Sequence, residues 1–307
     1  MSESLINLQR KINSASDLQS VVRTMKAMAA ASIGQYENAV RSLDDYYLTV
    51  QLGLTAYFQS VQREGVSKRT AFLAASNMDK SSPGKNKSNI YAIVFGSDQG
   101  LVGQFNELLV SFLDDELAKY PGKKICWPVG ERMQARLNES KVVSGPSFAL
   151  PKSIASITQL ISELLIKIDA QWEFGNIKQV YLFFNHPTSK ASYQPAYQRL
   201  LPMDRQWKNE FINKPWPNSC LPQVLVGDNA SLGALIHEYL FVSIYRACAE
   251  SLASENASRL VAMQRAEKNI EELQEQLHRS FHNQRQGGID EELFDLVGGF
   301  EALNRTY

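Results

Sequence analysis

From Leu5 to Leu43, apolar residues recur at Leu5, Leu8, Ile12, Ala15, Leu18, Val22, Met25, Ala29, Ile33, Tyr36, Val40 and Leu43. Eleven steps over 38 positions average about 3.5 residues, the period of a coiled coil. No proline stands before residue 83, so nothing in that stretch removes a helical hydrogen bond. The pattern predicts one helix reaching to about residue 62, with Gly53 as a candidate bend. So long a stripe needs a partner helix. A second stripe supplies one: Met263, Ala266, Ile270, Leu273, Leu277 and Phe281 step by three and four, flanked by Glu267, Lys268, Glu271, Glu272, Glu275 and Arg279. Asp228, Asn229 or Ser231 offers a cap at its start, and no proline follows. About 75 residues at about 1.5 Å each make a rod on the order of 110 Å. The two stripes, at opposite ends of the chain, predict an antiparallel coiled coil.

Between them the texture changes. Ser81 to Ser88 (SSPGKNKS) reads as a loop and sits in a predicted linker over 63–89. Ile90 to Phe95 (IYAIVF), Lys123 to Val129 and Lys178 to Phe184 are short apolar runs of the buried-strand kind. A further strand, at a sheet edge, is predicted between Ser192 and Met203. Helical patterns at Gln104–Lys119, Glu131–Leu137 and Ser153–Trp172 alternate with the strands. The expected architecture is a Rossmann-like open α/β sheet domain, residues 90–227, inserted between coiled-coil helices at 1–62 and 228–307. No internal repeat is present.

Few residue constellations suggest chemistry. The 32 basic and 32 acidic residues cancel, which argues against nucleic acid as a partner. The first residues carry no export signal, and no apolar run approaches the length of a membrane span. Cys126, Cys220 and Cys248 are far apart and unpaired in spacing, and are expected to be reduced thiols. The loop Gly96-Ser-Asp-Gln-Gly-Leu-Val-Gly103 lies between a strand and a helix, where dinucleotide loops occur, but its glycine spacing is wrong and it lacks the Lys–Ser/Thr pair of a phosphate loop. Its reading as a tight turn is preferred, with no nucleotide. His278 and His282 share a helix face without an intervening glutamate and near two arginines, so no metal is expected. His186 and His237 receive no role, and Asp114-Asp115-Glu116 reads as a solvated face. No Gly-x-Ser-x-Gly elbow exists. No catalytic residue and no cofactor is therefore expected. The residues alone leave open a coiled-coil interaction scaffold with an inserted α/β domain.

The stretch Ser251 to Asn269 (SLASENASRLVAMQRAEKN), Arg285-Gln286, and Glu292-Leu293 through Leu303 closely resemble the C-terminal helix of the F-type ATP synthase gamma subunits. Lys11-Ile12, Met25, Ala29-Ala30, SDQGLVGQFN from Ser97 to Asn106, and Leu200-Leu201-Pro202 extend the resemblance over nearly the whole chain. The resemblance implies a non-catalytic rotor shaft. Its partners would be the alpha and beta subunits, the epsilon subunit and the membrane c-ring, and its place the cytoplasmic face of the inner membrane. It also implies a rotor–stator interface at Met25, Arg285, Gln286, Asp290 and Glu292. The chain departs from the family in Ser32 to Asn38, which lacks a basic residue, in Gln99 and Asp290, and in Val224–Gly227 at the expected foot. These mark a divergent member, and Gly287-Gly288 with Gly298-Gly299 predict a soft shaft tip.

Overall fold

A computed structural model describes residues 3–63, 89–140, 142–188, 192–217, 220, 222 and 228–304. The predicted linker, apart from its end residues, and the Val224–Gly227 foot lie outside the described residues. Helix α1 spans Glu3–Arg63 without a break. Then follow β1 (Asn89–Phe95), α2 (Phe105–Ala118), β2 (Lys124–Val129), α3 (Glu131–Asn138), β3 (Val143–Ser144), α4 (Ile154–Glu173), β4 (Ile177–Thr188), β5 (Ser192–Leu201), α5 (Arg205–Ile212) and the long α6 (Asp228–Asn304). The residues fall into two compact units, Met1–Ala29 with Leu260–Tyr307, and Ala30–Arg259.

The larger unit holds a five-stranded mixed sheet of order β3-β2-β1-β4-β5. β1 pairs in parallel with β2 and β4, and β5 closes the edge antiparallel to β4. Two-residue alternation along β1 sorts its side chains into two cores. Tyr91, Ile93 and Phe95 join Ile157, Ile161, Leu164 and Ile168 of α4 and Ile244, Cys248 and Leu252 of α6. Ile90, Ala92 and Val94 face Leu109, Leu113 and Leu117 of α2 and Met133 and Leu137 of α3. A serine capping box, Ser153 with Ser156, starts α4.

Helix α5 lies beyond the sequence expectations. Its eight residues are too short for a periodic stripe, yet the Asp204 side chain accepts from Trp207 N at 2.9 Å, and Trp207 and Phe211 are buried. They pack with Val50, Leu54, Tyr57 and Phe58 of α1 and Leu232 and Tyr239 of α6 in a third core. Gly53 serves this contact: a Cβ there would stand 2.8 Å from a Leu235 methyl.

In the smaller unit α1 and α6 run antiparallel, with Gln19 bonded to Glu271 and Arg23 to Glu267. The seam on α1 differs from expectation at two places. Leu18 is 57 % exposed while Gln19 is half-buried, and Lys26 shares the seam with Met25. A strict three–four alternation, 5, 8, 12, 15, 19, 22, 26, 29, holds through these positions, so geometry puts polar side chains where hydrophobicity alone selects their neighbours. On α6, Leu273 is 46 % exposed and Gln274 turns inward in its place. The antiparallel register sets Leu5 level with Arg285, so α6 outruns α1 by roughly 17 residues, about 25 Å.

Candidate functional site

In an open α/β sheet, ligands bind at the carboxyl ends of the strands, where the strand order reverses. Here that point lies between β1 and β4, and the chain itself fills it. Ser251 Oγ donates to the carbonyl of Phe95, at the end of β1, at 3.0 Å. Ser254 Oγ donates to the carbonyl of Asn185 on β4 at 2.9 Å, and Ser258 Oγ to that of Val102 at 2.5 Å. Spacings of three and four place the three hydroxyls on one face of α6. All three serines are buried, and they donate to strand-end and loop carbonyls whose burial without a donor is costly; that of Val102 also accepts from Phe105 N at 3.4 Å.

The loop after β1 is closed in the same manner. Asn106 accepts from Ser97 N at 3.1 Å and donates to Ser97 Oγ at 2.8 Å. The first amides of α3, which in another protein might hold a phosphate, are already engaged: Glu131 N donates to Asp98 Oδ1 and Arg132 N to the Ser97 carbonyl, both at 3.0 Å. The loop's first glycine is steric. A Cβ on Gly96 would fall 2.3 Å from Met133 Cβ. Gly103, with φ of 59°, supplies a left-handed turn.

Two acidic side chains of α6 are buried. Glu255 receives Arg259 Nη2 at 2.5 Å, and burial, opposed by Arg259 and reinforced by Asp98, lifts its carboxyl to about 7. Glu250, also buried, accepts from Arg246 Nε at 2.7 Å and stands 2.7 Å from His186 Nδ1. His186, without an expected role, thus ties the end of β4 to α6. Burial raises the thiols of Cys126 and Cys248, the first to about 12, and neither is in a disulfide.

The residues expected at an interface occupy the smaller unit. Arg285, Gln286, Asp290 and Glu292 are all exposed on the part of α6 at and beyond the start of α1. Met25 is half-buried on α1, and the register places it roughly 30 Å along the rod from Arg285. The four α6 residues therefore share a helix, and Met25 stands apart from them. Around them Ile289, Leu293, Phe294, Leu296 and Val297 are exposed as well. Five such side chains, each worth about 1.5–3 kcal/mol when fully buried, form an exposed apolar stretch of the kind found at interaction surfaces. Sequence reasoning missed the three serines, Glu255, Arg259 and the Lys26–Glu267 contact; the 3–4 spacing of serines in an apolar helix was the available signal.

These features define a class: a mixed α/β sheet, sealed at its crest by its own helix, set between long N- and C-terminal helices. Among solved structures that architecture resembles the Euglena gracilis mitochondrial ATP synthase chains, one from an OSCP/F1/c-ring structure (TM-score 0.63, 18 % identity, 98 % of this chain and 94 % of that one) and one from a rotor structure (TM-score 0.59, 15 % identity, 93 % and 99 %). The chain belongs to the ATP synthase family, whose model matches residues 4–303. Relatives named ATP synthase gamma chain include those of Heliobacterium modesticaldum, 28 % identical over 97 % of this chain and 98 % of that one, and of Elusimicrobium minutum, 26 % identical over 99 % and 100 %.

Proposed function

We infer that this chain is the central rotor shaft of an F-type ATP synthase, coupling ion flow through the membrane ring to ATP synthesis or hydrolysis in the alpha/beta head. The observation that carries the reading is the end of α6, where large apolar side chains stand exposed with no packing partner among the described residues, in a chain of this family. Its partners are the alpha and beta subunits around that end, with the epsilon subunit and the c-ring at the α/β domain. The shaft does no chemistry of its own: the sheet crest, where open α/β sheets hold ligands, is occupied by Ser251, Ser254, Ser258, Asn106 and Asp98. Turning an asymmetric shaft shifts the populations of the catalytic conformations by differential contact.

Arg285 is assigned a charge-assisted contact with a beta carboxylate, and Met25, Gln286, Asp290 and Glu292 complete the rotor–stator interface. The parts follow the division 1–62, 63–89, 90–227 and 228–307. No helix among the described residues is long and apolar enough to cross a membrane, and the proposed place is peripheral, at the cytoplasmic face. The test is a disulfide from Arg285→Cys to a beta cysteine in the assembled complex. Rotation-coupled hydrolysis should stop on oxidation and return on reduction; hydrolysis unchanged by the bond overturns the assignment.

A further inference from the structure

The polar residues in the α1–α6 seam have a job that apolar packing cannot do. Lys26 Nζ reaches Glu267 Oε2, while Arg23 Nε donates to the other oxygen, Oε1, at 3.0 Å. Arg23 Nη2 also stands 3.6 Å from Glu271 Oε1, and Gln19 Nε2 donates to the same oxygen at 3.3 Å. Glu267 is the enclosed member: its side chain is 15 % exposed, against 52 %, 63 % and 71 % for Glu271, Glu272 and Glu275. The two bases pull its carboxyl below the usual carboxylate range.

Elsewhere in the smaller unit the seam specifies register weakly. Its α1 positions include Ala15 and Ala29, its α6 positions Ala266, and small residues make shallow knobs for the facing holes. A slip of one heptad, about 10 Å along the axis, would keep apolar residues facing apolar residues. It would set Lys26 opposite Gln274 or Leu260, and Glu267 opposite Gln19 or Ile33. Glu267 would then be enclosed without Lys26, and the partly exposed Lys26 would lose its partner, which is unfavourable. One polar layer is the established way for a coiled coil to fix its register.

We propose that Glu267, gripped by Lys26 and Arg23, is the positioning residue that locks the axial register of the two shaft helices, and so holds the α6 contact residues at a fixed offset from Met25. The lock stands on geometry alone; its part in coupling rests on the rotor reading. The two are tested separately. In the full chain with Cys220→Ser, spin labels at Asn7→Cys and Lys268→Cys, both exposed, read the axial offset by pulsed electron resonance. The parent should give one distance. Glu267→Gln, and independently Lys26→Gln should the first not fold, should add a population displaced by up to about 10 Å, whereas Lys26→Arg should keep the single distance. A single unchanged distance in Glu267→Gln overturns the lock, whatever the chain assembles with. In the assembled synthase, Glu267→Gln should lower ions pumped per ATP hydrolysed at least two-fold with hydrolysis itself within two-fold of the parent, and Lys26→Arg should leave that ratio intact. An unchanged ratio alongside a displaced distance overturns the role in coupling and leaves the register lock standing.

Discussion

Replacing Glu255 by glutamine should change how stability depends on pH. The carboxyl is raised from 4.5 to about 7, first by burial, with Arg259 opposing and Asp98 adding to the rise. Tyr36 faces the same pocket, its hydroxyl raised by burial and by the charges of Cys248 and Glu255. A raised carboxyl means that the folded protein holds the proton more tightly than the unfolded chain does. The stabilisation is complete below about pH 4.5, falls as pH rises, and is lost above the folded value near 7. At about 1.4 kcal/mol per pH unit, the whole gap is worth roughly 3–4 kcal/mol, and most of it, roughly 2–3 kcal/mol, lies between pH 5 and pH 8.

Glutamine keeps the shape and an acceptor for Arg259 but cannot ionise. Urea unfolding of both proteins, read by tryptophan fluorescence at several pH values, isolates the effect, since Trp127, Trp172, Trp207 and Trp216 all belong to the larger unit. The difference between variant and parent should move in favour of the variant by roughly 2–3 kcal/mol from pH 5 to pH 8. Glu267, whose lowered carboxyl acts in the opposite sense, is present in both proteins and cancels. A difference that stays within about 0.5 kcal/mol across that range would refute the argument, because mutations that do not alter proton binding give flat differences.

Ser254→Val should cost about 1–3 kcal/mol in urea unfolding by leaving the buried Asn185 carbonyl without its donor; an unchanged midpoint would show that another group satisfies it. Gly96→Ala should destabilise by about 1–3 kcal/mol or more, because the added carbon falls on the Cβ of Met133 rather than on a flexible end. Gly288→Ala meets open space and should stabilise the α6 end by about 1 kcal/mol. Amide exchange over 285–300, faster in the parent than around Ile270, should slow; equal protection of the two stretches in the parent would contradict the expected soft tip.

The long helices and the strand order of texture were legible because period is a property of many residues at once. A stripe of twelve positions survives two misplacements, so α1 is readable although Leu18 is not on the seam and Gln19 is. Those misplacements themselves were not readable: hydrophobicity chooses the apolar neighbour, while helix geometry chooses the position. Helix α5 was missed because eight residues hold barely two turns, and its evidence is three-dimensional, the burial of Trp207 and Phe211 against α1. The crest was half legible. Wrong glycine spacing in the loop from Gly96 to Gly103 excluded a dinucleotide fingerprint, but what replaces the ligand comes from α6, about 150 residues later, and only the fold brings it there.

Helix α6 inverts the ordinary distribution of side chains, and the inversion separates its tasks. From Ser251 to Ser258 every residue is buried, serines, Glu255 and Asn256 among them, and buried polar groups persist only when partnered. There the polar atoms are spent internally, on strand-end carbonyls and on Arg259. From Ile289 to Val297 the described residues are all exposed, five large apolar side chains included. Water penalises those five in the isolated chain, so their cost is recovered only by a surrounding partner. The acids between them, Asp290, Glu291, Glu292 and Asp295, are exposed as well, and under the proposed rotor reading a partner surface has to offer cations as well as apolar groups. A sleeve purely apolar at this level would leave the four carboxylates desolvated. Asp290→Asn and Glu292→Gln together should therefore weaken assembly with the head at low salt and matter less at high salt, where exposed pairs are screened; a loss of affinity independent of salt would mean that the carboxylates contribute hydrogen bonds or shape rather than charge.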